Sequence, residues 1–105
     1  MTEQRRIAFR RIADAAMGRA GLMVLRWLPD GRREGAEWVC RNPTRDDRRR
    51  GSFKVNVING KWGDFATGER GGDLVSLAAY LFKLSQADAA RKVADMLGVE
   101  PYEQA

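Results

Sequence analysis

Polar and apolar positions alternate in one part of this chain and recur at helical spacing in three others. From Phe53 to Ile58 the sequence places Phe53, Val55 and Val57 on one side and Lys54, Asn56 and Ile58 on the other, the period of two that marks a strand with unlike faces. Asn59-Gly60 then supplies the two positive-φ residues of a type I′ turn, so Lys61 to Phe65 is expected to return antiparallel. A two-residue turn sets Ile58 opposite Lys61, Val57 opposite Trp62 and Asn56 opposite Gly63, with Trp62 covering a valine across the hairpin. The segment Thr67-Gly68-Glu69-Arg70-Gly71-Gly72 is too rich in glycine to stay in a sheet and reads as a loop. Asp73 is placed to cap the helix that follows, since its carboxylate accepts from the free amides of the first turn and suits the positive helix end.

Leu74, Leu77, Ala78, Leu81 and Phe82 form an apolar stripe that predicts a helix from Leu74 to Lys83. A second helix is expected after Ser85, its cap, with Asp88 in the capping-box position, Ala89, Ala90, Val93, Ala94 and Leu97 as the buried stripe and Gly98 as the stop. At the other end, Ile7, Ile12, Ala13, Ala16 and Ala20 recur at helical spacing opposite Arg5, Arg6, Arg10, Arg11 and Asp14, which predicts an amphipathic helix over residues 3–20 ended by Gly18 and Gly21. Leu22 to Leu28 is an apolar run that is either the tail of this helix or a strand leading into Pro29-Asp30-Gly31; extended structure is favoured. Glu37 to Cys40 is a short strand begun by Gly35, and Asn42 to Arg50 is a polar loop that cannot be core. Pro101 to Ala105 reads as a frayed end or the start of a linker. The expected fold is therefore α+β. It has an N-terminal helix, a small antiparallel sheet of three or four short strands, and a C-terminal helix pair packed on one sheet face.

Composition narrows the chemistry. The 105 residues suffice for a single domain with a modest core. Cys40 is the sole cysteine and histidine is absent, so neither a disulfide framework nor the usual Cys/His zinc or haem site can be assembled, and no cofactor is implied. Cys40 itself reads as a small buried residue. No apolar run approaches a membrane span and the first residues lack a signal-peptide apolar region, which together point to a cytoplasmic protein without a membrane partner. Nor is an enzyme expected. GERGGD lacks the lysine and hydroxyl of a phosphate-binding Walker loop, the carboxylates are scattered or sit among arginines, and no nucleophile has a base beside it.

Charge is uneven. Residues 1–72 hold 16 Lys+Arg against 9 Asp+Glu, whereas residues 73–105 hold 3 against 5, and a basic half of this kind suits a polyanion. The candidate nucleic-acid-binding residues are Arg41, Arg45, Arg48, Arg49, Arg50 and Lys54, with Lys61, Trp62 and Arg70 beside them on the hairpin and glycine loop. Asp46 and Asp47 are read as braces for the arginines rather than a metal pair. Trp27 and Trp38, flanked by aliphatic residues, are read as core rather than base-stacking platforms, and burial against a valine is favoured for Trp62. Gly68, Gly71 and Gly72 offer bare amides near a helix start, but capping by Asp73 is favoured there over phosphate binding.

The order NP…R…SFKVN…W.DF..G..GGDLVSL followed by SQADAARKVADMLG resembles the N-terminal zinc-ribbon domain of bacterial and phage DNA primases. The resemblance covers roughly Trp38 to Val99 and is nearest to the N-terminal modules of primase-helicases of phages and mobile elements. It implies a ribbon of antiparallel strands whose four zinc ligands would fall at Asn42, Arg45, Asp64 and Thr67. None of these is a zinc thiolate or imidazole, so what the resemblance implies here is a zinc-free version. A structural zinc contributes about 10 to 16 kcal/mol of apparent binding free energy. Apolar burial and a polar crosslink such as Asp64 to Arg45 would have to stand in for it. The function implied is a DNA-binding accessory module of a primase or primase-helicase in DNA replication, in contact with single-stranded template and with a helicase or polymerase domain or subunit as a second partner. The alternative is a docking or interference module of a mobile element with no DNA binding of its own.

Overall fold

The computed structural model describes residues 5–45 and 51–104. Four helices and five strands follow one another as α1 (Phe9–Met17), α2 (Ala20–Trp27), β1 (Arg32–Glu34), β2 (Glu37–Cys40), β3 (Phe53–Asn56), β4 (Trp62–Asp64), β5 (Arg70–Gly71), α3 (Leu74–Phe82) and α4 (Gln86–Leu97). The strands form one antiparallel meander in the order β1-β2-β3-β4-β5, and the helices cover one of its faces. This is the expected α+β architecture. Phe53, Val55 and Trp62 on the inner sheet face join Leu74, Val75, Leu77 and Ala78 of α3, Ala89, Ala90, Val93 and Ala94 of α4, and Ile12 and Ala16 of α1 in a single core. Among the described residues no helix is long and apolar enough to cross a membrane.

The C-terminal helix pair matches its sequence signals. Asp73 accepts from the Ser76 amide at 2.7 Å and heads a reciprocal capping box. Ser85 caps α4, and Gly98 closes it in the left-handed conformation at φ 69°.

The N-terminal helix is shorter than residues 3–20, and the run after it is helical rather than extended. In α2 the buried residues are Ala20, Met23 and Val24, with Leu28 buried just beyond. That is a spacing of three to four, not two, so one stripe of the helix enters the core. Leucine and methionine are also strong helix formers, and Gly21 stands on the open side, where its low propensity is the only penalty.

The hairpin between β3 and β4 is displaced by two residues. Val55 pairs with Trp62 and Lys54 with Gly63, leaving Val57 to Gly60 as a four-residue loop in place of the type I′ turn. Only Gly60 has positive φ, at 81°. Asn56 Oδ1 accepts from the amides of Ile58 and Asn59, at 2.8 and 3.0 Å, a side-chain turn that outcompetes the two-residue one. Val57 meanwhile donates to the Ala36 carbonyl at 2.8 Å, extending the pairing with the β2 side. Because the shift is an even number of residues, Trp62 still faces the core.

Two strands escaped the sequence reading. β1 is a charged, wholly exposed edge strand with no apolar alternation, joined to β2 through Gly35 at φ 62°. β5 draws part of the glycine loop back into the sheet, and Gly71 is what lets it do so. A Cβ there would lie 2.4 Å from both Trp62 Nε1 and Ser76 Oγ. The C-terminal segment is anchored rather than frayed: Ile7 and Tyr102 form an antiparallel bridge, and Arg11 donates to the carbonyls of Glu100 and Tyr102.

Candidate functional site

Asp64 ends β4 with its side chain on the inner face, 1% exposed. A carboxylate there is costly unless its oxygens are bonded, and four donors meet it. Arg45 Nε lies 2.9 Å from Oδ2 and Nη2 3.3 Å from Oδ1, Asn42 Nδ2 donates to Oδ2 at 2.8 Å, and the Ala66 amide donates to Oδ1 at 2.8 Å. Burial pushes the carboxyl pKa up, but the bonds from Arg45, Asn42 and Ala66 together with the Arg45 charge outweigh it, lowering the value from 3.8 to about 2.

Asn42 extends the network inward. Its second amide hydrogen reaches Tyr80 Oη at 2.8 Å, and its Oδ1 accepts from the Thr44 amide and hydroxyl at 2.9 and 2.7 Å. With 1% exposure, Asn42 is core, contrary to the expectation for the polar loop it opens. It is admitted because both polar atoms of its side chain are bonded, which a count of loop-forming residue types does not register. Arg45 also donates to Ser52 Oγ at 3.1 Å.

The structure thus gathers Asn42, Arg45 and Asp64, three of the four positions picked out in the sequence. Thr67 is exposed on the turn that follows, its hydroxyl accepting from the Glu69 amide at 3.4 Å. Among the described residues no group of three or more His, Cys, Asp or Glu could hold a metal ion.

Trp62 is 7% exposed and sits in an aromatic group with Phe53 and Tyr80, its Nε1 donating to Ser76 Oγ at 2.9 Å. Its ring is not offered to a base. Trp27 and Trp38 pack against the core as expected, Trp38 donating to the Leu28 carbonyl at 2.9 Å.

The face of the sheet away from the helices carries the remaining basic residues. Its central row crosses all five strands as Arg32, Val39, Lys54, Gly63 and Arg70, each paired with the next. At about 4.8 Å between strands the row spans about 19 Å. Lys61 lies toward one end of this face, beside Asn56, whose amide lies 3.5 Å from Glu37. At the other end stands Phe65, whose amide donates to the Ser52 carbonyl at 2.9 Å. Phe65 is 76% exposed, and Lys54 Nζ lies 5.6 Å from its ring centroid, a cation–π contact beside an open ring.

Arg41 is engaged with Asp30 at 2.7 Å and Arg32 with Glu34 at 2.9 Å, both in exposed pairs that screen readily. Arg45 is committed to Asp64 and Ser52. Arg48, Arg49 and Arg50, with Asp46 and Asp47, lie outside the described residues. Sequence reasoning placed Trp62 beside this surface while favouring its burial, which the structure shows, and it missed Phe65. The signal was present, because residues three apart on an extended segment point to opposite faces, so a Trp62 turned to the core sends Phe65 outward. Comparison of the chain with protein-family models, curated proteins and solved structures gives no significant match.

Proposed function

We propose that this chain is a zinc-free accessory module of a DNA primase or primase-helicase, binding single-stranded template across the open face of its sheet. The observation that carries the reading is Phe65, a large exposed ring beside Lys54, with Arg32 and Arg70 in the same cross-strand row as Lys54. Base stacking on an open aromatic is worth about 1 to 3 kcal/mol and tolerates any sequence, while cations beside it take the phosphates. Arg32, Lys54, Lys61 and Arg70 are the phosphate contacts on this surface. Glu34 and Glu37 occupy the edge far from Phe65 and bias a bound strand toward the Phe65 end.

The primase resemblance of the sequence supports the same reading. Asn42, Arg45 and Asp64 supply a polar crosslink where that family would place metal ligands, and Asp64 to Thr67 forms a turn closed by Gly68 at φ 84°. The module contributes binding rather than chemistry, and synthesis belongs to a polymerase domain or subunit acting with it in the cytoplasm. Fluorescence anisotropy with a labelled 20-nucleotide strand at ~50 mM salt tests this. Four phosphate contacts give a slope of log affinity against log salt near −3, from about 0.7 per contact on a single strand. Absence of binding at high micromolar protein overturns the DNA role.

A further inference from the structure

The solvent side of α2 is apolar where a free-standing helix would be polar. Leu22 is 67% exposed and Leu25 52%, and three residues apart on a helix they are neighbours. Arg26 follows Leu22 by four residues on the helix, and Arg19, the N-cap, precedes it by three; both are exposed. Gly21 lies on the other side of the leucines, where a Cβ would meet nothing within 4 Å. Residues 5–29 contain six arginines and one carboxylate, Asp14. Among the described residues neither Arg19 nor Arg26 has an ion-pair partner.

We propose that this face of α2 docks an acidic amphipathic helix of a partner protein, its apolar stripe on Leu22 and Leu25 and its carboxylates on Arg19 and Arg26. The charge selects the occupant. A second copy of the chain would bring Arg19 and Arg26 against their own like charges, with no carboxylate in α2 to relieve them. An acidic helix meets both parts of the surface, and the glycine side lets its backbone come close, the usual way an amphipathic helix is received by an apolar strip. The site stands on a different surface from the proposed DNA face and does not depend on it.

The probe is a fluorescein-labelled 16-residue synthetic helix with leucines at one face and glutamates elsewhere, titrated with the full chain, alongside a scrambled peptide of the same composition. Saturable binding of the helical peptide with Kd on the order of 10⁻⁵ to 10⁻⁴ M, and at least tenfold weaker binding of the scrambled one, is expected. The double variant Leu22→Ser/Leu25→Ser should lose at least tenfold in affinity, and Arg19→Gln/Arg26→Gln should lose affinity chiefly at low salt. Both pairs are exposed, so unchanged melting midpoints will show that the variants fold, and unchanged binding to the 20-nucleotide strand by the leucine variant will separate this surface from the sheet. Amide NMR shifts induced by the peptide should cluster in residues 18–29. Equal binding of the scrambled peptide, shifts centred on the sheet, or self-association in sedimentation equilibrium that the leucine variant abolishes would each overturn the proposal.

Discussion

Arg45 holds both carboxylate oxygens of Asp64, Nε at 2.9 Å from Oδ2 and Nη2 at 3.3 Å from Oδ1, across 19 residues of sequence. The pair ties the loop after β2 to the end of β4 and sets the first expectation. The Asp64 carboxyl is held at about 2 against an ordinary 3.8. A group with a depressed folded value stabilises fully above its unfolded value and loses that contribution as pH falls through the folded one. The contribution is on the order of 2 kcal/mol, present above pH ~4 and fading toward pH ~2. Asp64→Asn should cost about 2 to 3 kcal/mol at pH 7 by leaving Arg45 without its charge partner. Urea melts of both proteins should show the gap between them narrowing across that acid window. A gap that stays constant with pH would mean the ion pair is not its source.

Gly71 and Gly72 are adjacent yet should respond very differently to alanine. At Gly71 the new methyl overlaps Trp62 and the Ser76 hydroxyl, so the Trp62 to Ser76 hydrogen bond must open or β5 must leave β4. Overpacking of this kind costs about 1 to 3 kcal/mol. At Gly72 a Cβ meets nothing within 4 Å, so Gly72→Ala should shift the melting midpoint little. Thermal melts of the two variants side by side check this.

On the DNA face, Phe65→Ala should weaken binding to the 20-nucleotide strand by about 5- to 150-fold, the equivalent of 1 to 3 kcal/mol of stacking, without lowering the melting midpoint. Lys54→Ala and Arg70→Ala should each flatten the salt slope by about 0.7. Trp62→Phe should do the reverse of Phe65→Ala, lowering stability through loss of its bond to Ser76 while leaving affinity nearly unchanged. Fluorescence anisotropy paired with thermal melts distinguishes the two aromatics.

Metal removal is a fourth check. With Asn42, Arg45 and Asp64 bonded to one another, the melting midpoint should not move when a strong chelator is added. Stoichiometric zinc by elemental analysis, or a fall in midpoint on chelation, would contradict this.

The parts of this fold that could be read from sequence are those where local signals and burial agree. Asp73, Ser85 and Gly98 are local devices, and their bonds do not depend on distant chain. The alternation of Phe53, Val55 and Val57 gave the right faces even though the turn was misplaced, since faces depend only on parity while register also depends on the Asn56 side chain and on the Ala36 carbonyl. β1 was invisible because an exposed edge strand of two arginines and a glutamate has no apolar period to detect. At the site, the Asp64 to Arg45 crosslink came from the resemblance, whereas the place of Asn42 and Tyr80 in it rests on contacts 22 and 38 residues apart that no local pattern encodes. Phe65 was legible and overlooked.

The bridge between Ile7 and Tyr102 has a mechanical meaning. The Ala8 amide donates to the Pro101 carbonyl at 2.8 Å and the Glu103 amide to the Arg6 carbonyl at 2.7 Å, so the chain enters and leaves side by side. Tension applied through the two ends loads these bonds one after another, like the teeth of a zipper, and peels them at low force before the load reaches α1 or α4. The same closeness means that a host protein carrying this domain as an insert in a surface loop needs to part its own backbone by little more than the spacing of two strands.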